Sequence, residues 1–364
     1  MLAIKQSESV TMSLPSDDTM YNALLERDAH YEGVFIVGVT TTGIYCRPVC
    51  TARKPLRKNV QFFSNREEAR RAGFRACKVC KPDTLAGSEP EWLIRLQDRL
   101  ASNERISDAD LRKMGTDPAR VRRWFNKHYG TTFQAWQRAR RLSAAHDALQ
   151  ANNSVTDTAF ASGFESLSGF GEAFQRVAGC SPKAGKNTRL VKVKRLLSPL
   201  GPMFAAASDD GLCLLEFDDR TAMEHQLSRL QRMLGAQFVA GEHPVFDLLE
   251  QQLTAYFKGE LLRFSVPLQF AGTDFQQKAW QALVDIPYGE TRSYSDQALA
   301  IGKPSAVRAV AKANGQNALA IIVPCHRVVG KDGKLTGYAG GLWRKQKLLA
   351  LERSAVQADS ARRC

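Results

Sequence analysis

A thiol and an imidazole stand side by side in Pro324-Cys325-His326-Arg327-Val328, at the end of an apolar run from Leu319 to Val323. The thiolate is the attacking form of cysteine, and an adjacent base or positive field makes it available near neutral pH. The same dipeptide also fits a buried thiol after a core strand, and alone it does not separate the two readings. A second set of sulfurs lies near the N-terminus, with Cys46 and Cys50 in a C-x3-C pair and Cys77 and Cys80 in a C-x2-C pair. Two close pairs from separate segments converge on one tetrahedral ion, the sulfur-ligated geometry of zinc. Four thiolates around Zn²⁺ sum to a net charge of about −2, which leaves each sulfur electron-rich. The cluster is therefore a structural knuckle or a reactive thiolate site. The other four of the 8 cysteines (Cys180, Cys213, Cys325, Cys364) are scattered, so the two sets do different jobs.

Three compositional blocks must position these groups. The first, about Asp17 to Asp83, holds the clustered cysteines, an apolar strand-like stretch from Val34 to Val39 and a helix-like Asn65 to Gly73. The second, Glu91 to about Pro182, is rich in Arg and Ala and contains two successive helix-turn-helix patterns. Ile106 to Gly115 is a short amphipathic helix with a turn glycine. Asp117 then suits an N-cap and Pro118 the first position of the next helix. The second copy runs from Ser154 to Gly163, through Phe164 to Arg176, and on to Gly179-Cys-Ser-Pro182. A helix, a glycine turn and a second helix suit a recognition helix in the major groove, although any helical pair can look this way. Lys183 to Arg195 reads as a polar, basic connector, and the third block starts near Val193. In that block Pro202 to Ser208 and Leu212 to Phe217 read as paired strands about Asp209-Asp-Gly211, which makes Cys213 an inert core residue.

The chain has 364 residues, enough for several cores, and carries 51 Lys plus Arg against 37 Asp plus Glu, a formal net charge of +14. That excess favours a polyanion, nucleic acid first and an anionic membrane second. No apolar run approaches the roughly 20 residues that span a bilayer, which disfavours membrane. Met1 to Asp18 lacks the marks of a secretory signal and reads as a loose tail. A cytoplasmic, nucleoid-associated monomer is the expectation.

The segments Thr40-Thr-Thr-Gly-Ile-Tyr-Cys-Arg-Pro-Val-Cys50 and Ala72-Gly-Phe-Arg-Ala-Cys-Lys-Val-Cys-Lys-Pro-Asp83 closely resemble the N-terminal domain of the Ada family, bacterial adaptive-response methyltransferases. The resemblance implies that Cys46 accepts a methyl group from a methylphosphotriester in DNA, and that Cys46, Cys50, Cys77 and Cys80 hold one zinc ion. Methylating one sulfur moves the site from about −2 to about −1, which weakens its repulsion of the phosphate backbone and raises DNA affinity. Thr42, Arg47, Arg53 and Lys78 are candidate phosphate contacts. Where the family commonly has a second basic residue between the last two cysteines, this chain has Val79, one contact fewer.

The two helical copies, with Gly-Phe-x-Ser … Phe … Phe … Gly-x-Ser-Pro in the second, resemble the DNA-binding domain of the AraC family. Arg120, Arg122 and Arg123 are then candidate DNA contacts, as are Ser166 and Ser168, the alternative for each being a solvated helix face. The stretches Thr273 to Glu290, Thr291 to Tyr294, Lys303 to Val310, Gly337 to Gly341 and the closing helix Leu342 to Arg353 are similar to the O6-alkylguanine-DNA alkyltransferases, a likeness spanning about Val193 to Ser354. It implies that Cys325 attacks the O6-methyl carbon by in-line displacement, that His326 acts through a water to keep the thiol deprotonated, and that Glu352 orients the imidazole. Asn317 would brace the turn before the active strand. Tyr294 would give guanine a proton, unless it is a core tyrosine. Arg308, on a helix beginning near Pro304, would fill the stack left by the flipped base, with Ala309, Ala311 and Ala313 allowing close approach to the groove. Val328, Tyr338, Ala339 and Gly340 would line the base pocket. The S-methylcysteine product is a stable thioether, so each thiol acts once.

The expected fold is multidomain α+β: a small zinc-bound α+β domain at 17–85, an all-α tandem helix-turn-helix domain at 90–185, and an α/β alkyltransferase domain with an N-terminal subdomain at 193–270 and a winged-helix-like, DNA-binding helical part at 271–355. Alkylated and promoter duplex DNA and RNA polymerase are the expected partners. The competing reading is a DNA-binding regulator that senses metal or thiol oxidation, with Cys325 vestigial.

Overall fold

Short polar side chains start most of the helices. Ser16 accepts from Thr19 N to begin α1 (Asp17–Glu26), and a capping box between Ser107 and Asp110 begins a helix in the middle of the chain. The computed structural model describes residues 14–28, 31–32, 34–83, 90–96, 99–100, 104–185, 188–220 and 223–363. They fall into two units, residues 1–86 with 341–347 and residues 87–340 with 348–364.

In the first unit β1 (Ile36–Val39) pairs antiparallel with β2 (Ile44–Cys46) and with β3 (Val60–Phe63). After α2 (Arg66–Arg71), β4 (Arg75–Ala76) pairs parallel with β2, so the sheet order is β3-β1-β2-β4. Strand β1 starts at Ile36 because Val34 N–H closes a turn onto Tyr31 O. Met20, Leu24, Phe35, Val37 and Val60 fill the core between α1 and this sheet.

The second unit opens with α3 (Glu91–Ile94), α4 (Asp108–Lys113) and α5 (Pro118–Tyr129), the last capped by Asp117 with proline in its first turn. The long α6 (Phe133–Gln150) leads to α7 (Val155–Ala161), α8 (Leu167–Ala178) and the single turn α9 (Pro182–Gly185). Gly115 and Gly163, at φ 69° and 73°, make the left-handed turns between α4 and α5 and between α7 and α8. Next comes a sheet of order β7-β6-β5-β8, made of β5 (Leu190–Ser198), β6 (Gly201–Ser208), β7 (Gly211–Phe217) and β8 (Gln237–Ala240), with α10 (Met223–Leu234) between its last two strands. Strands β5, β6 and β7 are antiparallel neighbours, and β8 lies parallel to β5. Helix α11 (Pro244–Phe257) then leads into α12 (Asp274–Val284), β9 (Arg292–Ser293), α13 (Tyr294–Ala300), α14 (Val307–Gly315), β10 (Val328–Val329) and α15 (Leu342–Arg363). The β6–β7 hairpin turns where expected, and Cys213 is buried, its thiol pushed up to about 12 by burial.

Three expectations are corrected. The stretch from Lys183 to Arg195 is not a connector: from Leu190 onward it is the central strand β5. Its cations are partnered by distant residues: Lys192 Nζ bonds Ser143 Oγ and Asp147 Oδ1 at 2.7 Å each, Lys194 pairs with Glu242 and Glu250, and Arg195 pairs with Asp218. Buried cations so paired avoid the several kcal/mol that an isolated one costs. The apolar run Leu319 to Val323 is not a strand but a set of turns, tied to β7 by one bridge between Leu215 and Leu319, with Ile321 at φ 71°. The helix expected from Pro304 starts at Val307.

The helical pairs and the β5 sheet share a core within the second unit. Leu142, Leu149, Phe170 and Phe174 pack in one cluster with Leu190 of β5 and Val239 of β8.

Candidate active site and metal centre

The Cys325 site is built on the C-terminal end of α14. Arg220 donates to Gly315 O and Asn317 O, and Arg229 to Gln316 O, so guanidinium groups satisfy carbonyls that the helix end leaves open. Asn317, buried, then crosses the turn: Oδ1 accepts from Leu319 N at 2.9 Å, and Nδ2 donates to Val323 O at 2.8 Å and to Cys325 Sγ at 3.3 Å. Strand β7 pins the same turn, since Leu215 N donates to Ala318 O and Ala320 N donates to Leu215 O. These bonds hold Ile321 in a left-handed conformation that costs a β-branched residue about 1–3 kcal/mol. Asn317→Ala should destabilise the protein by roughly 1–3 kcal/mol, since Val323 O and Leu319 N lose a buried partner. Urea unfolding checks this, and alkylation of Cys325 should slow at the same time.

A turn of 3-10 helix, Cys325–Arg327, presents the partly exposed thiol and turns His326 inward, where it is fully buried. His326 Nε2 lies 2.8 Å from Glu352 Oε1, itself fully buried on α15. Glu352 also accepts from Arg327 Nε at 2.9 Å, Arg327 Nη2 at 3.0 Å, Tyr256 OH at 2.7 Å and Gly289 N at 3.1 Å. Arg327 Nη1 donates onward to Ile286 O at 2.6 Å. Burial opposes ionisation of Glu352, but the hydrogen bonds and charges of His326 and Arg327 outweigh it and bring its pKa down to about 2. An ionised Glu352 accepts the Nε2 proton, which leaves the imidazole lone pair on Nδ1.

Around this core the Tyr338 ring stands edge-on to His326, at 6.4 Å between centroids, and Val328 is buried. Gly340 is buried where a Cβ would fall 2.8 Å from both Phe217 and Tyr338, so no larger residue fits. Ala339 is exposed, and Tyr294 is half-buried with its hydroxyl accepting from Thr336 Oγ1 at 3.4 Å. Arg308, Ala309 and Ala311 lie on the exposed face of α14. Ala313 does not join them: it is buried in the core beside Trp280, whose Nε1 donates to Ala313 O.

The four N-terminal cysteines are buried, and their sulfurs all lie within 4.8 Å of one another. Cys50 Sγ and Cys77 Sγ are 4.0 Å apart, close to the roughly 3.8 Å edge of a tetrahedron with 2.3 Å zinc–sulfur bonds. A hydrogen bond with Cys80 pushes the Cys46 thiol up, and the same bond holds Cys80 down. Sulfurs this crowded share protons unless a cation joins them, so the donor set fits one Zn²⁺. Arg47 N–H donates to Cys80 Sγ at 3.4 Å, and Tyr45, next to Cys46, is anchored by Asp83 and Arg70.

Four family models match the chain: metal binding domain of Ada at residues 19–83, helix-turn-helix domain at 111–188, and the ribonuclease-like and DNA binding domains of 6-O-methylguanine DNA methyltransferase at 193–270 and 274–354. The bifunctional transcriptional activator/DNA repair enzyme Ada of Escherichia coli is 38% identical over 354 residues, covering 93% of this chain and 96% of that protein. This chain belongs to the Ada family. The regulatory protein ada of Salmonella typhimurium is 36% identical over 352 residues, covering 92% of this chain and 96% of that protein. A crystal structure of Mycobacterium tuberculosis OGT in complex with DNA aligns with 45% of this chain and 94% of its own, at 47% identity and a TM-score of 0.40.

Among the candidate DNA contacts of this Ada-family chain, Thr42, Arg53, Lys78, Arg120, Arg122 and Arg123 are exposed. Arg47 instead pairs with Glu32 at 3.4 Å and is half-buried. Ser166 caps α8 through Gly169 N, and its Oγ lies 3.3 Å from that of Ser168. Sequence reasoning gave no role to Tyr256, Arg327 and Gly289, the other donors to Glu352. Arg327 stands inside the motif that drew attention to Cys325. Tyr256 lies 96 positions from Glu352 with no local signal.

Proposed function

We propose that the chain removes methyl groups from alkylated duplex DNA by two irreversible transfers and carries the record of one of them to promoters. In the first, the Cys325 thiolate attacks the methyl carbon of O6-methylguanine, or of O4-methylthymine. The sulfur–carbon bond forms as the carbon–oxygen bond breaks, and the departing base takes a proton from Tyr294. His326, held by Glu352, keeps the thiol ionised through a water, and Arg308 fills the vacated stack while Val328, Tyr338, Ala339 and Gly340 receive the base. In the second, the Cys46 sulfur takes the methyl of a DNA methylphosphotriester and releases a phosphodiester anion, with Cys50, Cys77 and Cys80 completing the zinc ligand set and Thr42, Arg47, Arg53 and Lys78 on the backbone. Zinc, when bound, keeps the four sulfurs anionic and close-packed. The neutral thioether repels phosphate less, which favours promoter binding through Arg120, Arg122 and Arg123 and activation of alkylation-repair genes by contact with RNA polymerase.

This reading divides the chain at 17–85, 90–185, 193–270 and 271–355, and places a monomer on DNA in the bacterial cytoplasm. Among the described residues no helix is long and apolar enough to cross a membrane. The observation that carries the reading is the buried His326–Glu352 pair directly beside the half-exposed Cys325, in a chain that also gathers four thiols around a zinc-sized space. Peptide mass spectrometry after incubation with each methylated duplex tests it. One added methyl is expected on the Cys325 peptide from O6-methylguanine and one on the Cys46 peptide from the phosphotriester. Both peptides at their original mass would sink it.

A further inference from the structure

Glu352 accepts hydrogen bonds from three directions, and two of them do not come from the turn that carries the reacting thiol. His326 and Arg327 belong to the turn that presents Cys325, and Gly289 N–H belongs to the loop after α12. The remaining donor, Tyr256, comes from the last turn of α11, in the part of the chain that carries no acceptor thiol. Its ring is fully buried against Phe257, Phe264 and Tyr288, with centroids 5.4, 5.2 and 5.8 Å away. The hydroxyl therefore has a fixed origin and a fixed target, the same Oε1 that His326 Nε2 reaches.

We propose that Tyr256 is a positioning residue for methyl transfer: its hydroxyl fixes the Glu352 carboxylate and sets how strongly that carboxylate pulls on the His326 proton. The proposal rests on the base-repair reading of Cys325. A buried carboxylate oxygen divides its electron density among its donors, so the bond from Tyr256 weakens the bond to His326. Burial raises the tyrosine pKa well above its ordinary value, with the Glu352 charge adding to the effect, so the hydroxyl keeps its proton throughout the working range. The groups facing Glu352 are thus His326, Arg327, Tyr256 and, at the edge, Tyr288, whose hydroxyl makes no hydrogen bond among the described residues.

The test is the single-turnover rate of methyl transfer from an O6-methylguanine duplex to the full-length protein, measured against pH. Tyr256→Phe removes one oxygen and keeps the ring. Its freed Oε1 should bind the His326 proton more tightly, make the imidazole more basic, and move the acid limb of the profile up by about one pH unit. Tyr288→Phe should leave the profile where it is. In a Glu352→Gln background the Tyr256→Phe shift should vanish, because the hydroxyl acts only through the carboxylate. A Tyr256→Phe profile that superimposes on the wild type overturns the proposal, as does a shift that persists without the Glu352 charge. A variant that fails to fold overturns it as well, by making the hydroxyl a structural bond. A wild type that transfers no methyl at all refutes instead the function on which the proposal stands.

Discussion

Glu352→Gln is expected to slow methyl transfer to Cys325 by roughly 10²–10⁴-fold, the range seen when an imidazole base loses its orienting carboxylate. The amide oxygen can still accept from Tyr256, which keeps the side chain in place, but its NH2 then faces Gly289 N–H and the group no longer offers His326 and Arg327 a negative charge. Arg327 is left buried with its cation unanswered, a loss of roughly 3–5 kcal/mol. The same substitution should change how stability depends on acid. Glu352 has a folded pKa of about 2 against an ordinary 4.5, so its contribution, about 3 kcal/mol, is complete above pH 4.5 and lost as the pH falls from 4.5 toward 2. Urea unfolding between pH 3 and pH 7 should therefore show a smaller acid-linked loss in the variant than in the wild type. An equal slope in both would remove Glu352 as the source.

Stripping the metal should separate the two halves of the chemistry. Four buried sulfurs supply the packing where β2 ends and the loop after β4 begins, with Ile44 and Ala52 the apolar neighbours of their cluster. Structural zinc in such sites contributes about 10–16 kcal/mol to folding, as much as or more than a small domain's total stability of about 5–15 kcal/mol. Chelation should expose Cys46, Cys50, Cys77 and Cys80 to a thiol reagent and unfold the sheet from Ile36 to Ala76, as hydrogen exchange would record. Phosphotriester transfer should fall to nothing while guanine transfer to Cys325 continues at its usual rate. If both activities failed together, the two acceptor sites would not be the independent pieces their separate cores imply.

The chemistry was more legible in the sequence than the architecture that supports it. Cysteine spacing announced the metal cluster, because ligand geometry restricts which intervals work. Asp117, Pro118 and Ser154 marked helix starts, because caps act within three residues and are written locally. Lys192 and Arg195 misled for the opposite reason: a run of cations looks solvated until Ser143, Asp147 and Asp218, 23 to 49 positions away, are brought against it. The turn after α14 was hidden in the same way. Leu319 to Val323 has strand composition, and the backbone coils there because the three hydrogen bonds of Asn317 and the two to Leu215 of β7 hold it. Tyr256 carried no signal at all, since a tyrosine in an apolar helix reads as core.

Lys192 reaching into α6 has a practical consequence for anyone dissecting this protein. The lysine, Leu190 and Val239 are covered by α6 and α8, and Phe204 meets Tyr129 at 5.7 Å. Excising the C-terminal half would carry that patch, greasy at its centre with an orphaned ammonium beside it, into water. Truncations ending between the reader and the guanine acceptor should be sticky and poorly behaved unless Lys192 and Phe204 are replaced by residues at ease in solvent.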